Sequence, residues 1–412
     1  MTLADTRYDA IVSQPSHPWT SGASHLYTRE FFDLTRSKLD PGGIFVQWIG
    51  SSFVDEALFG SLMASMTEVF DFVHVYRPVP AALVFMASDQ PIDLARSAPR
   101  ALASAPESFG RYGIHRLEDF YASWTLDTAG VRALSSRSPM NTDDHNRLAT
   151  RRLPPAQIGK RGIQHLDDLF AREEVLDRDR LQAVDAVAVL RRMVWNGERK
   201  RANRLLQALD PAQASAARGW VRFDNGQILG AASEFRRALE VDPDLRSARI
   251  GLIAVGQTAG LDPSGLAPAE RALIQATEHA KSQDWEAIGA LDASLAGIAP
   301  GHLAFPNAAR LRAGWRIQTD DPARAAEAIA IVDTLLSRQR RPDHYLLRAR
   351  AAAGAGRTRL AWGALDVIAS RPALAGANLM QSARELARSL GDPPEDSTVL
   401  QRLVPRRRRG RS

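Results

Sequence analysis

YDAIVSQPSHPW (residues 8–19), TREFFDLTRSKL (28–39), DPGG (40–43) and IFVQW (44–48) follow one another in that order, and their alternation decides the fold class. Ala10 to Ser13 is a short apolar run closed by a Pro-containing turn, which fits a buried parallel strand whose carboxyl end opens into a loop. Thr28 stands where a helix cap is wanted, and Phe31, Phe32, Leu34, Thr35 and Leu39 recur so that one stripe meets a sheet. Pro41-Gly42-Gly43 reads as the stop of that helix, and Ile44 to Trp48 as a second strand. Asp55 to Phe70 has helical spacing, with Leu58, Leu62, Met63, Met66 and Phe70 on one side. Phe72–Tyr76 and Ala81–Ala87 are two further strands, close enough to pair as an antiparallel hairpin, expected at one edge of the sheet. Strands alternating with helices of this length argue for an α/β domain with crossover connections.

These blocks, with NTDDHNRL near residue 141, resemble the spermidine synthase-like (polyamine aminopropyltransferase) family. The likeness is to the bacterial branch that reads YDVIISEPSNPW, LFTREFF, LAPGG, QW and LNTDD and in which the domain follows membrane helices. It covers about residues 7 to 150. The resemblance implies a Rossmann-like methyltransferase-type sheet, a site for decarboxylated S-adenosylmethionine and a polyamine acceptor. Family members hold the donor by a Gly-rich turn after their first strand and an acid after their second. This chain is expected to start at the family's fourth strand, with the N-terminal part of the domain absent. The unpaired edge then implied has three explanations: a longer natural protein, a missing half on a separate chain, or edge pairing in a homodimer.

The family's Asp-Ser-Ser-Asp-Pro pattern, laid on this sequence, puts Gln14 where the amine-orienting acid stands and His17 where the second acid stands. By the same resemblance, Ser13, Ser16, Trp19, Asp143 and Asp144 fall at substrate-binding positions. The chemistry makes Gln14 telling. Aminopropyl transfer is a displacement at carbon by a neutral amine, which a carboxylate helps by attracting the cationic polyamine and taking up a proton. Gln14 cannot ionise. An imidazole such as His17 titrates near neutrality and could act as a base, although two loop residues with ordinary hydrogen bonds are the plainer reading of both. Asp143 and Asp144 likewise read either as a helix cap with a solvated neighbour or as groups at a substrate mouth. No spacing of His or acidic residues forms a metal site, and His25, His74 and His115 show no partner pattern.

Pro154-Pro155 marks a boundary, after which strand signals end and Ala, Leu and Arg dominate to about residue 390. Gly219, Gly226, Ala231, Phe235, Ala238 and Pro243 fall at tetratricopeptide spacing. Asp284-Trp285-Glu286-Ala287, with Leu291 and Leu295 and running to Pro300, looks like a degraded copy, and residues 322–337 and 345–372 are fainter ones. The expected organisation is a partial Rossmann domain over 1–153, an all-α helical-hairpin (tetratricopeptide-like) array over 154–400 and a basic disordered tail over 401–412. Such an array suits a protein partner.

Composition narrows the remainder. The 412 residues are 45% hydrophobic and 24% charged, which is globular and not disordered. With no cysteine there is neither a disulfide nor a thiolate site. Of the net charge of +6, Arg406, Arg407, Arg408, Arg409 and Arg411 supply five, so nucleic acid is not an expected partner of the body. No apolar run has the length of a transmembrane segment, so the chain as given is expected to be soluble and cytoplasmic, with membrane attachment only through helices upstream. Ancestral aminopropyl transfer and a non-catalytic interaction role both remain open.

Overall fold

The computed structural model describes residues 6–15, 22–150, 163–173, 175–258, 261, 265–394, 400 and 403. Two compact units emerge: residues 1–104 with 116–217, and residues 105–115 with 218–412. The compositional boundary at Pro154-Pro155 lies outside the described residues.

The first unit is built on a five-stranded mixed sheet with order β1-β2-β4-β3-β5. The strands are β1 (Tyr8–Ser13), β2 (Leu39–Gly50), β3 (Phe72–Val79), β4 (Ala82–Ser88) and β5 (Trp124–Leu126). Strands β1 and β2 are parallel, joined by the crossover helix α1 (Arg29–Ser37), while β2·β4, β4·β3 and β3·β5 are antiparallel. Helix α2 (Glu56–Val69) is capped by the Asp55 carboxylate, which accepts from the Leu58 amide at 2.9 Å. Phe32, Phe45, Phe59, Phe70, Phe85 and Phe170 form the core between this sheet and its helices. Phe45 and Phe70 stack with ring centroids 6.0 Å apart.

Three expectations need correction. Pro41-Gly42-Gly43 does not stop the helix, because α1 already ends at Ser37 and these residues lie inside β2. They form a bulge: Tyr8 pairs with Leu39 and Ala10 with Ile44, and Gly42 takes φ 80°, which a side chain would resist. The β3–β4 hairpin is not at an edge, since β2 flanks it on one side and β5 on the other. The sheet also has one strand more than the four read from the sequence: Trp124–Leu126 is β5, too short to show any period in sequence.

At the opposite edge stands β1, whose only strand partner among the described residues is β2. Val12 is 69% exposed there, so the strand lies on the surface and is not buried as its apolar composition implied.

The second unit is helical among its described residues. Phe235, in the helix Ile228–Val241, wedges between Gly219 and Gly251, where an added Cβ would come within 2.5 and 2.4 Å of its ring. Of the residues singled out in the sequence, Gly219 and Phe235 thus meet in a packed seam, which Gly251 completes, whereas Gly226 faces open space. Leu400 and Leu403 are buried with Leu365 and Ala383. The Arg-rich residues 404–412 lie outside the described part. No helix among the described residues is long and apolar enough to cross a membrane.

Candidate functional site

Parallel strands with a helical crossover present their carboxyl ends on one side, the usual place for a ligand in an open α/β sheet. Here β1 ends at Ser13, in register with Gln47, while β2 continues to Gly50. The buried Gln47 side chain donates from Nε2 to the Ser13 carbonyl at 3.3 Å and to the Trp48 carbonyl at 3.2 Å. Its Oε1 is buried without a hydrogen-bond partner among the described residues. Tyr27 reaches the same edge, its hydroxyl donating to the Trp48 carbonyl at 3.3 Å, and burial pushes that phenol well above its ordinary range.

Gln14 follows β1 directly and is exposed. Ser16, His17 and Trp19, expected at this site, lie outside the described residues. The chain is next described at Gly22, from which a 3-10 turn, Ala23–Tyr27, leads into α1.

That turn carries the group that the sequence did not reveal. His25 Nδ1 lies 2.9 Å from Asp143 Oδ1, a pairing across 118 positions that corrects the reading of His25 as partnerless. Glu30 Oε2 accepts from the Asp143 amide at 3.0 Å. The His25 hydrogen bond holds the Asp143 carboxyl below its usual range. Thr28 does sit at the N-cap position of α1, but its hydroxyl donates to the His25 carbonyl at 2.9 Å and makes no cap bond. A carboxylate that accepts Nδ1–H leaves Nε2 as the basic nitrogen, the arrangement of a general base. With His25 at 56% and Asp143 at 46% side-chain exposure, water screens the pair strongly. Asp144 is exposed in the adjoining turn with no partner among the described residues.

Asn141 holds this loop in place. Fully buried, it donates from Nδ2 to the Tyr27 carbonyl at 2.9 Å and accepts at Oδ1 from the Arg147 amide at 2.8 Å. Its amide donates to Ser65 Oγ at 2.7 Å, and its carbonyl accepts from the Arg29 amide at 2.9 Å. The side chain ties the 3-10 turn to the 141–147 loop, and the backbone of the same residue adds α1 and α2. Among the described residues no group of three acidic or histidine side chains could hold a metal ion.

The Asn-Thr-Asp-Asp loop, 141–144, is thus bonded to the 3-10 turn that precedes α1 in a parallel β1-α1-β2 unit. Residues 1–88 match the spermine/spermidine synthase domain family. No curated protein matches the chain. The matched spermidine synthase-like segment contains Ser13, Gln14, Gln47 and His25, and ends at the last residue of β4. Asp143 and Asp144 lie beyond it.

Proposed function

We propose that this is a spermidine synthase-like protein, ancestrally devoted to aminopropyl transfer from decarboxylated S-adenosylmethionine to an amine, and that residues 1–412 alone do not catalyse that reaction. The observation that carries the reading is Gln14 at the carboxyl end of β1, inside the segment that matches the family. The transfer needs an amine without its proton. At this position an amide can orient an amine by hydrogen bonding, yet it neither attracts a polyammonium chain by charge nor accepts a proton. His17 stands at the second acidic position of the family pattern and His25 offers a base tethered to Asp143. Ser13, Ser16, Trp19, Asp143 and Asp144 would contact the acceptor.

Titration calorimetry with decarboxylated S-adenosylmethionine, followed by a transfer assay with putrescine, tests this. Neither heat of binding nor product is expected from residues 1–412. Tight nucleotide binding, or product that disappears in a Gln14→Ala variant, would overturn it.

A second reading, an interaction protein that binds a protein partner through its helical array, draws support from the helix Ile228–Val241. Leu229 is 80% exposed and Val241 58% exposed on it, and Leu374 on the helix Pro372–Leu390 is 69% exposed. Affinity capture by the full chain, compared with Leu229→Glu, separates the two: a partner retained by the first and lost by the second favours interaction.

A further inference from the structure

Two tryptophans in the second unit face each other's helices across glycines. Trp285 opens the short helix Trp285–Ala290, and Trp315 lies near the end of the helix Phe305–Ile317. A Cβ at Gly314 would come within 2.9 Å of the Trp285 ring, and one at Gly289 within 3.3 Å of the Trp315 ring. Each indole therefore rests one face on bare backbone, and both contribute to the wall of a cavity of about 340 Å³ shared with Glu286, Gln318 and Arg324. That volume falls in the range of small-ligand sites.

The charges around this cavity are almost all matched. Asp292 takes Arg312 at 3.0 Å and Arg316 at 2.6 Å, Glu327 takes Arg316 at 3.0 Å, and Asp321 stands 3.6 Å from Arg324. Glu286 is exposed and has neither an ion pair nor a hydrogen bond among the described residues, so the cavity carries one uncompensated carboxylate. The Arg324 guanidinium lies 5.2 Å from the Trp315 ring centroid, which shows that the indole face accommodates a cation. Arg324 is itself about half exposed, with Asp321 its one ion-pair partner among the described residues.

We propose that this cavity binds an organic cation, an alkylammonium or guanidinium group, which displaces Arg324 from Trp315 and pairs with Glu286. Arg324 is then a placeholder whose intramolecular contact the ligand must replace. The proposal concerns the helical unit and stands independently of the aminopropyl-transfer reading. The cation could be a free small molecule or a basic side chain of a peptide.

The test uses the full chain labelled with 5-fluorotryptophan and followed by fluorine NMR, with the Trp285 and Trp315 signals assigned through Trp285→Phe and Trp315→Phe. Ethylguanidinium and the blocked tripeptide acetyl-Gly-Arg-Gly-amide are titrated against potassium chloride of equal ionic strength. Either organic cation should move both signals saturably while potassium does not, and the arm that saturates first identifies the source. Glu286→Gln should weaken binding about fivefold, and Arg324→Ala should tighten it about fivefold, the scale of one exposed cation–aromatic contact. Circular dichroism confirms that both surface variants are folded. No shift with either organic cation, equal binding by Glu286→Gln, or weaker binding by Arg324→Ala would overturn the proposal.

Discussion

Asn141 and Asp143 sit two positions apart in one loop and do different work. Asn141 is buried with both ends of its amide engaged, so truncation would leave the Tyr27 carbonyl and the Arg147 amide unpaired. Asn141→Ala should cost roughly 2–4 kcal/mol, two buried hydrogen bonds at about 1–2 each with the orphaned groups included. Asp143→Asn should cost less than about 1 kcal/mol, because its partner His25 is solvent-exposed. Urea unfolding of both variants checks the ranking; equal costs would assign Asn141 no clamping role. Asn141, Asp143 and Asp144 stood out in sequence as a block. His25 did not, because its partner lies 118 residues away and no spacing rule reaches that far.

Among the elements, β3 shows how the first unit extends past its family-matched segment. Arg77 on β3 is 1% exposed, bonds Asp167 on the helix Ile163–Arg172, and lies 3.3 Å from the buried Glu198. Its Nη2 also donates to the Pro80 carbonyl at 3.1 Å, and its guanidinium stands 5.8 Å from the Phe170 ring. Strand β3 and the helical residues after 163 are therefore joined by a buried cation with two acidic partners. Arg77→Ala removes a buried cation that both Asp167 and Glu198 face and should destabilise the unit by about 3–5 kcal/mol. Arg77→Ala with Glu198→Gln should recover part of that loss, since one of the two facing charges is removed with the cation. Additive losses in a double-mutant cycle would show that the two groups are not coupled. The order of β1, α1, β2, α2, β3 and β4 was readable because each apolar run is long enough to show its period. β5 was not: three residues flanked by helices carry no alternation, and β3 supplies the pairing.

At the scale of the whole chain, each unit contains a histidine kept neutral by burial. His74 in β3 and His344 in the helix Pro342–Gly354 are both pushed down to about 4. Unfolded, each would accept a proton near pH 6.5; folded, each refuses it until about pH 4. Protons therefore favour the unfolded state across that window, and stability should be intact above pH 6.5 and fall steadily towards pH 4. The loss is on the order of 3 kcal/mol per histidine at the lower end. Denaturant unfolding between pH 7 and pH 4.5 measures it. His74→Phe and His344→Gln should each flatten the dependence, and an unchanged slope in either variant would remove that histidine from the account.

Sequence alone determined the alternation of apolar strands and helices over the first hundred residues, the turn to helix beyond them, and the pairing of Gly219 with Phe235. Those features are local, written in periods of two and near four and in residues whose backbone freedom or bulk is intrinsic. Only the tertiary structure decided that β1 is an exposed edge, that the β3–β4 hairpin is interior, and that His25 meets Asp143, Arg77 meets Glu198, Gly251 meets Phe235 and Trp285 packs on Gly314. Such pairings depend on where distant segments are brought in space, and burial, charge matching and contact between them arise only once the chain has folded.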